Sequence, residues 1–175
     1  MGLQVGYRVG GREPLIRLCV LPGQPLVVFV GPLTVTIKVA RTRPDALLPR
    51  YAHTGPFGDL AADLSAAEAV SLAAGETKAV RTGLAFEFPP DFGALVEDRS
   101  GLALAGVCTL AGVIDPGYRG ELKVVMTNLG SETFQIKPGD RIAQLRVVRR
   151  IEAEFAEAAT LSETGRNMGG FGSTG

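Results

Sequence analysis

The pattern that most limits what this chain can become is a series of short apolar runs, each ended within about ten residues by a turn signal. Leu33, Val35, Ile37 and Val39 alternate with Thr34, Thr36 and Lys38, the period-two signature of a strand with one buried face. Further runs rich in Val, Ile, Leu, Phe and Thr follow at residues 79–88, 93–96, 105–110, 122–128, 132–136 and 141–148. Pro89-Pro90-Asp91, Leu129-Gly-Ser131 and Lys137-Pro-Gly-Asp140 punctuate them. Many short strands with frequent turns predict an all-β sandwich or barrel over residues 33–155. Residues 60–74 are rich in alanine and too densely apolar for periodicity to decide, so helix and strand both stay open there.

The two ends read differently. Leu26-Val-Val-Phe-Val30 is bracketed by Pro22-Gly23 and Gly31-Pro32, far short of the ~18–20 apolar residues that span a bilayer. Arg8, Arg12 and Arg17 are spread out and no small-residue cleavage site follows, which argues against a signal peptide. Residues 1–32 are therefore an extension that adds a strand or stays loose. After Phe155 the alternation stops, and residues 156–175 form a polar, glycine-rich tail from which no core can be built.

At 175 residues and 46% hydrophobic content the chain has room for one core. Eighteen basic and eighteen acidic residues cancel, so the net field favours neither nucleic acid nor a membrane surface as partner, and any attraction for an anion must be local. Cys19, Cys108 and the lone His53 lack the spacing of a structural zinc site or a disulfide scaffold. The expected compartment is cytoplasmic.

Local chemistry concentrates in four stretches. Gly112-Val-Ile-Asp-Pro-Gly-Tyr-Arg-Gly-Glu121 places the carboxylate of Asp115 at the end of an apolar run. Pro116 presets φ and Gly117 tolerates positive φ, so a sharp reversal would bring Tyr118 close to Asp115. Taken alone, this is an ordinary turn. Arg99-Ser100-Gly101 offers a rigid guanidinium fork, a hydroxyl and accessible backbone amides to an anion, or else a plain turn. Arg141 and Gln144 form a third polar set on a strand. Gly170-Phe-Gly172-Ser-Thr-Gly175 matches the G-x-G-x-x-G string, but no helix follows to hold a pyrophosphate. It is either a disordered tail or an arm whose amides, Arg166, Ser173 and Thr174 close over a phosphate while Phe171 stacks on a base.

Asp63-Leu64, Arg99-Ser-Gly-Leu-Ala103, Gly112 to Glu121, Gly139-Asp-Arg-Ile-Ala-Gln-Leu145 and Arg166-Asn-Met-Gly-Gly-Phe-Gly-Ser-Thr-Gly175 fall in the order and at about the spacing of the five motifs of trimeric dUTP pyrophosphatases. From about Leu33 onward the chain resembles that family. The resemblance implies a distorted β jelly-roll and a homotrimer. It places three active sites at subunit boundaries, each completed by the C-terminal arm of a third subunit. It implies hydrolysis of dUTP to dUMP and pyrophosphate, with Mg²⁺ held by substrate phosphates and water rather than by protein side chains. By resemblance Asp115 is the general base, Tyr118 packs on deoxyribose, and the backbone of Thr109, Val113 and Ile114 reads uracil. Arg99, Ser100, Gly101 and Gln144 meet the phosphates and Lys123 is a further substrate contact. Arg166, Phe171 and Ser173 belong to the closing arm, and Asp63 stands behind the phosphate contacts.

Several positions depart from the family pattern. Ala61-Ala62 precede Asp63 where an Ala-Gly-aromatic sequence is usual, and Gly58-Asp59-Leu60 offers a rival alignment. Asp98 stands where proline usually precedes Arg-Ser-Gly, adding a negative charge beside a phosphate site. Thr109 replaces an asparagine, and Asn167 a glycine. A dCTP deaminase of the same fold is the nearest alternative. It requires a glutamate and an arginine where this chain has Val125 and Leu104, which leaves no group to shuttle the deamination proton. A catalytically inactive trimer that binds nucleotide is the other.

Overall fold

The computed structural model describes residues 34–165 and, as backbone only, two short strands in the N-terminal extension. Those two, β1 (Ile16–Cys19) and β2 (Val27–Val30), pair antiparallel, with Ile16 opposite Val30. The described body is mostly β. Its elements are β3 (Lys38–Arg41), β4 (Ala62–Ser65), β5 (Val70–Leu72), β6 (Thr77–Glu87), β7 (Phe92–Glu97), α1 (Ser100–Leu104), β8 (Val107–Leu110), β9 (Val113–Ile114), β10 (Glu121–Asn128), β11 (Phe134–Ile136) and β12 (Arg141–Arg149).

Two four-stranded antiparallel sheets, ordered β3-β6-β10-β8 and β4-β12-β7-β9, carry most of it, and β5 and β11 form a smaller pair. Alternation along β10 shows why they pack. Leu122, Val124 and Met126 are buried while Lys123 and Val125 turn outward. With Leu64, Leu72, Val80, Leu84, Ile136, Ile142 and Leu145 they form one core, each such side chain contributing roughly 1.5–3 kcal/mol on burial. The few buried polar groups are paired: the Thr82 hydroxyl donates to the Leu122 carbonyl at 2.6 Å, and Asn128 Nδ2 donates to the carbonyls of Leu72 and Glu132.

Three sequence expectations resolve in instructive ways. The alternation at residues 34–39 persists as alternating exposure, but only Lys38–Arg41 pairs. Lys38 faces Glu87, the last residue of β6, and Pro89-Pro90 follow it, so the ladder with β6 begins at Lys38. The alanine-rich segment 60–74 holds two short strands, β4 and β5. Its backbone is tied sideways, with the Ala66 N–H donating to Asp140 and the Ala67 N–H to Arg81, bonds that a helix would forgo. Arg-Ser-Gly opens a single helical turn, α1, with Arg99 at its N-cap.

Candidate active site

The connection from β8 through β9 to β10 borders a half-open cavity of about 300 Å³. Its walls are the Leu110–Ile114 segment, Asp115, Tyr118 and the first half of β10, including Lys123. Asp115 follows β9 directly, and the Tyr118 N–H donates to its carbonyl at 3.1 Å, closing the Asp-Pro-Gly-Tyr turn. Arg119 Nη1 straps the turn through the carbonyls of Pro116 (2.6 Å) and Tyr118 (3.0 Å). Positive φ is not used at Gly117. The left-handed backbone lies earlier, at Ala111 (φ 60°) and Gly112 (φ 104°), because Pro-Gly in a type I turn needs no positive φ. A Cβ on Gly112 would sit 2.5 Å from the Val96 carbonyl oxygen, so only glycine lets this segment lie against β7.

Two carboxylates line the cavity, and their situations differ. Glu121 is fully engaged: Arg81 Nε and Nη2 donate to it at 2.8–3.1 Å, and the Gly83 N–H donates to Oε1 at 2.9 Å. Those bonds hold Glu121 below the ordinary glutamate range, with the Arg81 hydrogen bonds as the largest cause. Asp115 is exposed, and among the described residues nothing donates to its carboxylate. It is the pocket carboxylate whose oxygens are open to water or ligand.

A second polar cluster gathers where β4 and β12 pair. Asp63, on β4, accepts from Arg99 Nε through Oδ1 (3.0 Å) and from Arg141 Nη1 through Oδ2 (3.0 Å), and Arg99 Nη1 also reaches the Arg141 carbonyl at 3.2 Å. Asp59, the rival in the sequence, pairs instead with His53 in an exposed loop. Gln144 lies between Asp63 and Glu97 in the strand register. Ser100 and Gly101 lie in the first turn of α1, where backbone amides have no intrahelical acceptor and can serve an anion.

Within one chain the expected site residues thus fall into two groups. Val113, Ile114, Asp115, Tyr118 and Lys123 line the hairpin cavity, whereas Arg99, Ser100, Gly101, Gln144 and Asp63 do not. Thr109 is not among the lining residues either; its hydroxyl donates to Asp98 Oδ1 at 2.8 Å, and its N–H goes to the same oxygen. Arg166, Phe171 and Ser173 lie outside the described residues. Sequence reasoning passed over Glu121, Arg81 and Gly120. A Cβ on Gly120 would meet the Tyr118 hydroxyl at 2.5 Å, a contact between near neighbours that no spacing rule reveals.

Among the described residues no group of three His, Cys, Asp or Glu side chains gathers as a metal cage. A divalent cation at the hairpin cavity would meet one open protein carboxylate and draw the rest of its oxygen shell from its ligand and water. No helix among the described residues is long and apolar enough to cross a membrane.

Paired antiparallel sheets, a pocket bordered by the Leu110–Ile114 segment and a guanidinium cluster around Asp63 make this a mostly β protein with two polar centres. The dUTPase family model matches residues 52–175, and the chain belongs to the dUTPase family. The deoxyuridine 5'-triphosphate nucleotidohydrolase of Solibacter usitatus (strain Ellin6076) is 49% identical over 142 residues, covering 79% of this chain and 95% of that protein. The enzyme of the same name from Thermobifida fusca (strain YX) is 46% identical over 160 residues, covering 87% of each. Among solved structures, the Staphylococcus bacteriophage 80alpha dUTPase with dUpNHpp superposes with a TM-score of 0.73 at 26% identity, covering 81% of this chain and 99% of that one.

Proposed function

We propose that this chain hydrolyses dUTP to dUMP and pyrophosphate, and that Asp115 is the base. The observation that carries the assignment of Asp115 is the contrast in the hairpin cavity, where the Glu121 oxygens are occupied and those of Asp115 are open. Water held by Asp115 attacks the α-phosphorus. A P–O bond forms, the bond from the α-phosphorus to the bridging oxygen breaks, the proton passes to Asp115, and pyrophosphate leaves. A carboxylate is a modest base, so positioning and charge neutralisation carry most of the acceleration.

The backbone of Leu110–Ile114 reads the base. Uracil presents O2, N3–H and O4, whereas cytosine offers an amino group and a bare N3 that would leave buried backbone groups unpaired. Tyr118 covers the sugar and leaves no room for a 2′-hydroxyl. Arg99, Ser100, Gly101 and Gln144 grip the phosphates, with Asp63 orienting Arg99. Mg²⁺ carried by the triphosphate neutralises its charge when bound.

The site is shared in a homotrimer of jelly-roll subunits. The hairpin of one chain faces the Arg99 cluster of the next, and the arm at 156–175 closes over it with Arg166, Phe171 and Ser173. Supporting this is that the Arg99 cluster does not line the hairpin cavity of its own chain, along with exposed apolar side chains at Leu104, Val113, Ile151 and Phe155.

Purified protein supplied with dUTP, dCTP and UTP is expected to release pyrophosphate from dUTP in strong preference, and no ammonia from dCTP. Silence with dUTP, or ammonia from dCTP, sinks the reading. Asp115→Asn should bind the nucleotide as the parent does while kcat falls by roughly 10²–10⁴-fold. Equal turnover would remove Asp115 from its role.

A further inference from the structure

Val96, near the end of β7, and Asp98, just beyond it, both tie down the segment that edges the cavity. The Val96 N–H donates to the Gly112 carbonyl at 2.8 Å. Two residues on, Asp98 Oδ1 accepts both the Thr109 N–H and the Thr109 hydroxyl. Arg99, the next residue, belongs to the guanidinium cluster. Between the two attachment points lie only Leu110 and Ala111, and Ala111 is the one non-glycine residue with positive φ among those described. Backbone of that kind persists only where its surroundings over-determine it. β8 is also the outer strand of its sheet, so no further strand offers the Thr109 N–H an acceptor.

We propose that Asp98 is a positioning residue for base recognition: its carboxylate pins Thr109, Val96 pins Gly112, and together they hold the strained Leu110–Ala111 backbone in the shape that edges the nucleotide cavity. This rests on the reading of that cavity as the uracil site. It also explains how an extra carboxylate is tolerated beside a triphosphate, because two donors already engage Asp98. The effect belongs to binding of the base rather than to chemistry at phosphorus, since Asp98 reaches neither Asp115 nor its turn.

Kinetics with dUTP and dCTP, together with amide hydrogen exchange of the nucleotide-free protein, test this. Asp98→Ala should raise KM for dUTP about tenfold with kcat within about twofold, a loss of binding rather than of transition-state contact. The preference for dUTP over dCTP in kcat/KM should narrow about tenfold as the reading edge loosens. Asp98→Asn keeps an acceptor oxygen and should recover most of the KM. Thr109→Val, which keeps the N–H bond and loses the hydroxyl, should raise KM by a smaller factor, about threefold. In combination with Asp98→Ala it should add nothing. Exchange at Thr109, Ala111 and Gly112 should quicken in Asp98→Ala. A fall in kcat at constant KM, additive effects in the pair, or unchanged exchange overturns the proposal. If Asp98→Ala does not fold, Thr109→Val decides: an unchanged KM overturns it. If the parent protein fails to turn over dUTP, the functional reading falls, while exchange still reports whether Asp98 holds the backbone.

Discussion

Tyr118 owes its place to the residue two positions later. Its hydroxyl donates to the Glu121 carbonyl at 3.0 Å, which lays the ring across Gly120, where even a methyl group would come within 2.7 Å of Cζ. Gly120 is needed for space, not for its backbone angles. Gly120→Ala must therefore push the ring off its seat, costing about 1–3 kcal/mol of stability as an overpacked contact does. If Tyr118 is what excludes a 2′-hydroxyl, the ratio of dUTP to UTP turnover should fall about tenfold in the same variant. Steady-state kinetics with both nucleotides read this, and undiminished discrimination would show that the ring is not held by Gly120. The pairing of Asp63 with Arg99 could be anticipated from motif order. Seats such as Gly120, and clamps such as Asp98 on Thr109, could not, because they depend on which way neighbouring side chains turn once the backbone is set.

At the level of elements, the hairpin is only as rigid as its root. Glu121 begins β10, the register slips between Leu122 and Lys123, and Arg81 and Gly83 of β6 grip the Glu121 carboxylate beside that slip. Bulges of this kind bend a strand and re-aim its neighbours, and Glu121, Leu122 and Lys123 at this one all line the cavity. The Glu121 side chain is only 12% exposed, and its folded pKa lies below the ordinary 4.5. A depressed carboxylate stabilises the fold fully at pH values above its unfolded pKa, and that contribution is lost as pH falls through the folded value. Glu121→Gln should therefore cost about 1–3 kcal/mol at neutral pH, as loss of a charged hydrogen bond does. The gap to the parent should shrink in urea melts below about pH 4.5, where the parent also loses the charge. A gap independent of pH would mean that shape rather than charge holds the root. The strands themselves were largely legible, because turn residues mark their ends and alternation marks their buried faces. Where the reading fell short, at 34–37 and 60–74, what decided was the reach of a partner strand, and a partner is a property of the fold rather than of the segment.

Across the whole molecule, the open carboxylate of Asp115 lines the hairpin cavity and the Arg99 cluster does not. Beyond β12, residues 150–165 form no helix or strand and expose Ile151, Phe155 and Leu161 to solvent. Neighbouring copies would cover these exposed apolar side chains, as the proposed trimer requires. The proposed trimer makes a quantitative statement. Asp115→Asn lacks the base but keeps the Arg99 cluster intact. Arg99→Ala keeps the hairpin and loses a phosphate grip. Each homotrimer should be nearly inactive. When the two are co-expressed and assemble at random in equal amounts, a site works only if an intact hairpin meets an intact Arg99 from the next chain. About a quarter of the sites meet that condition, so activity should return to about a quarter of the parent's. If each chain carried its whole site, every site in the mixture would be missing one group and no activity would return. Measuring kcat on the co-purified mixture, beside the mass of the assembly in solution, separates the two arrangements.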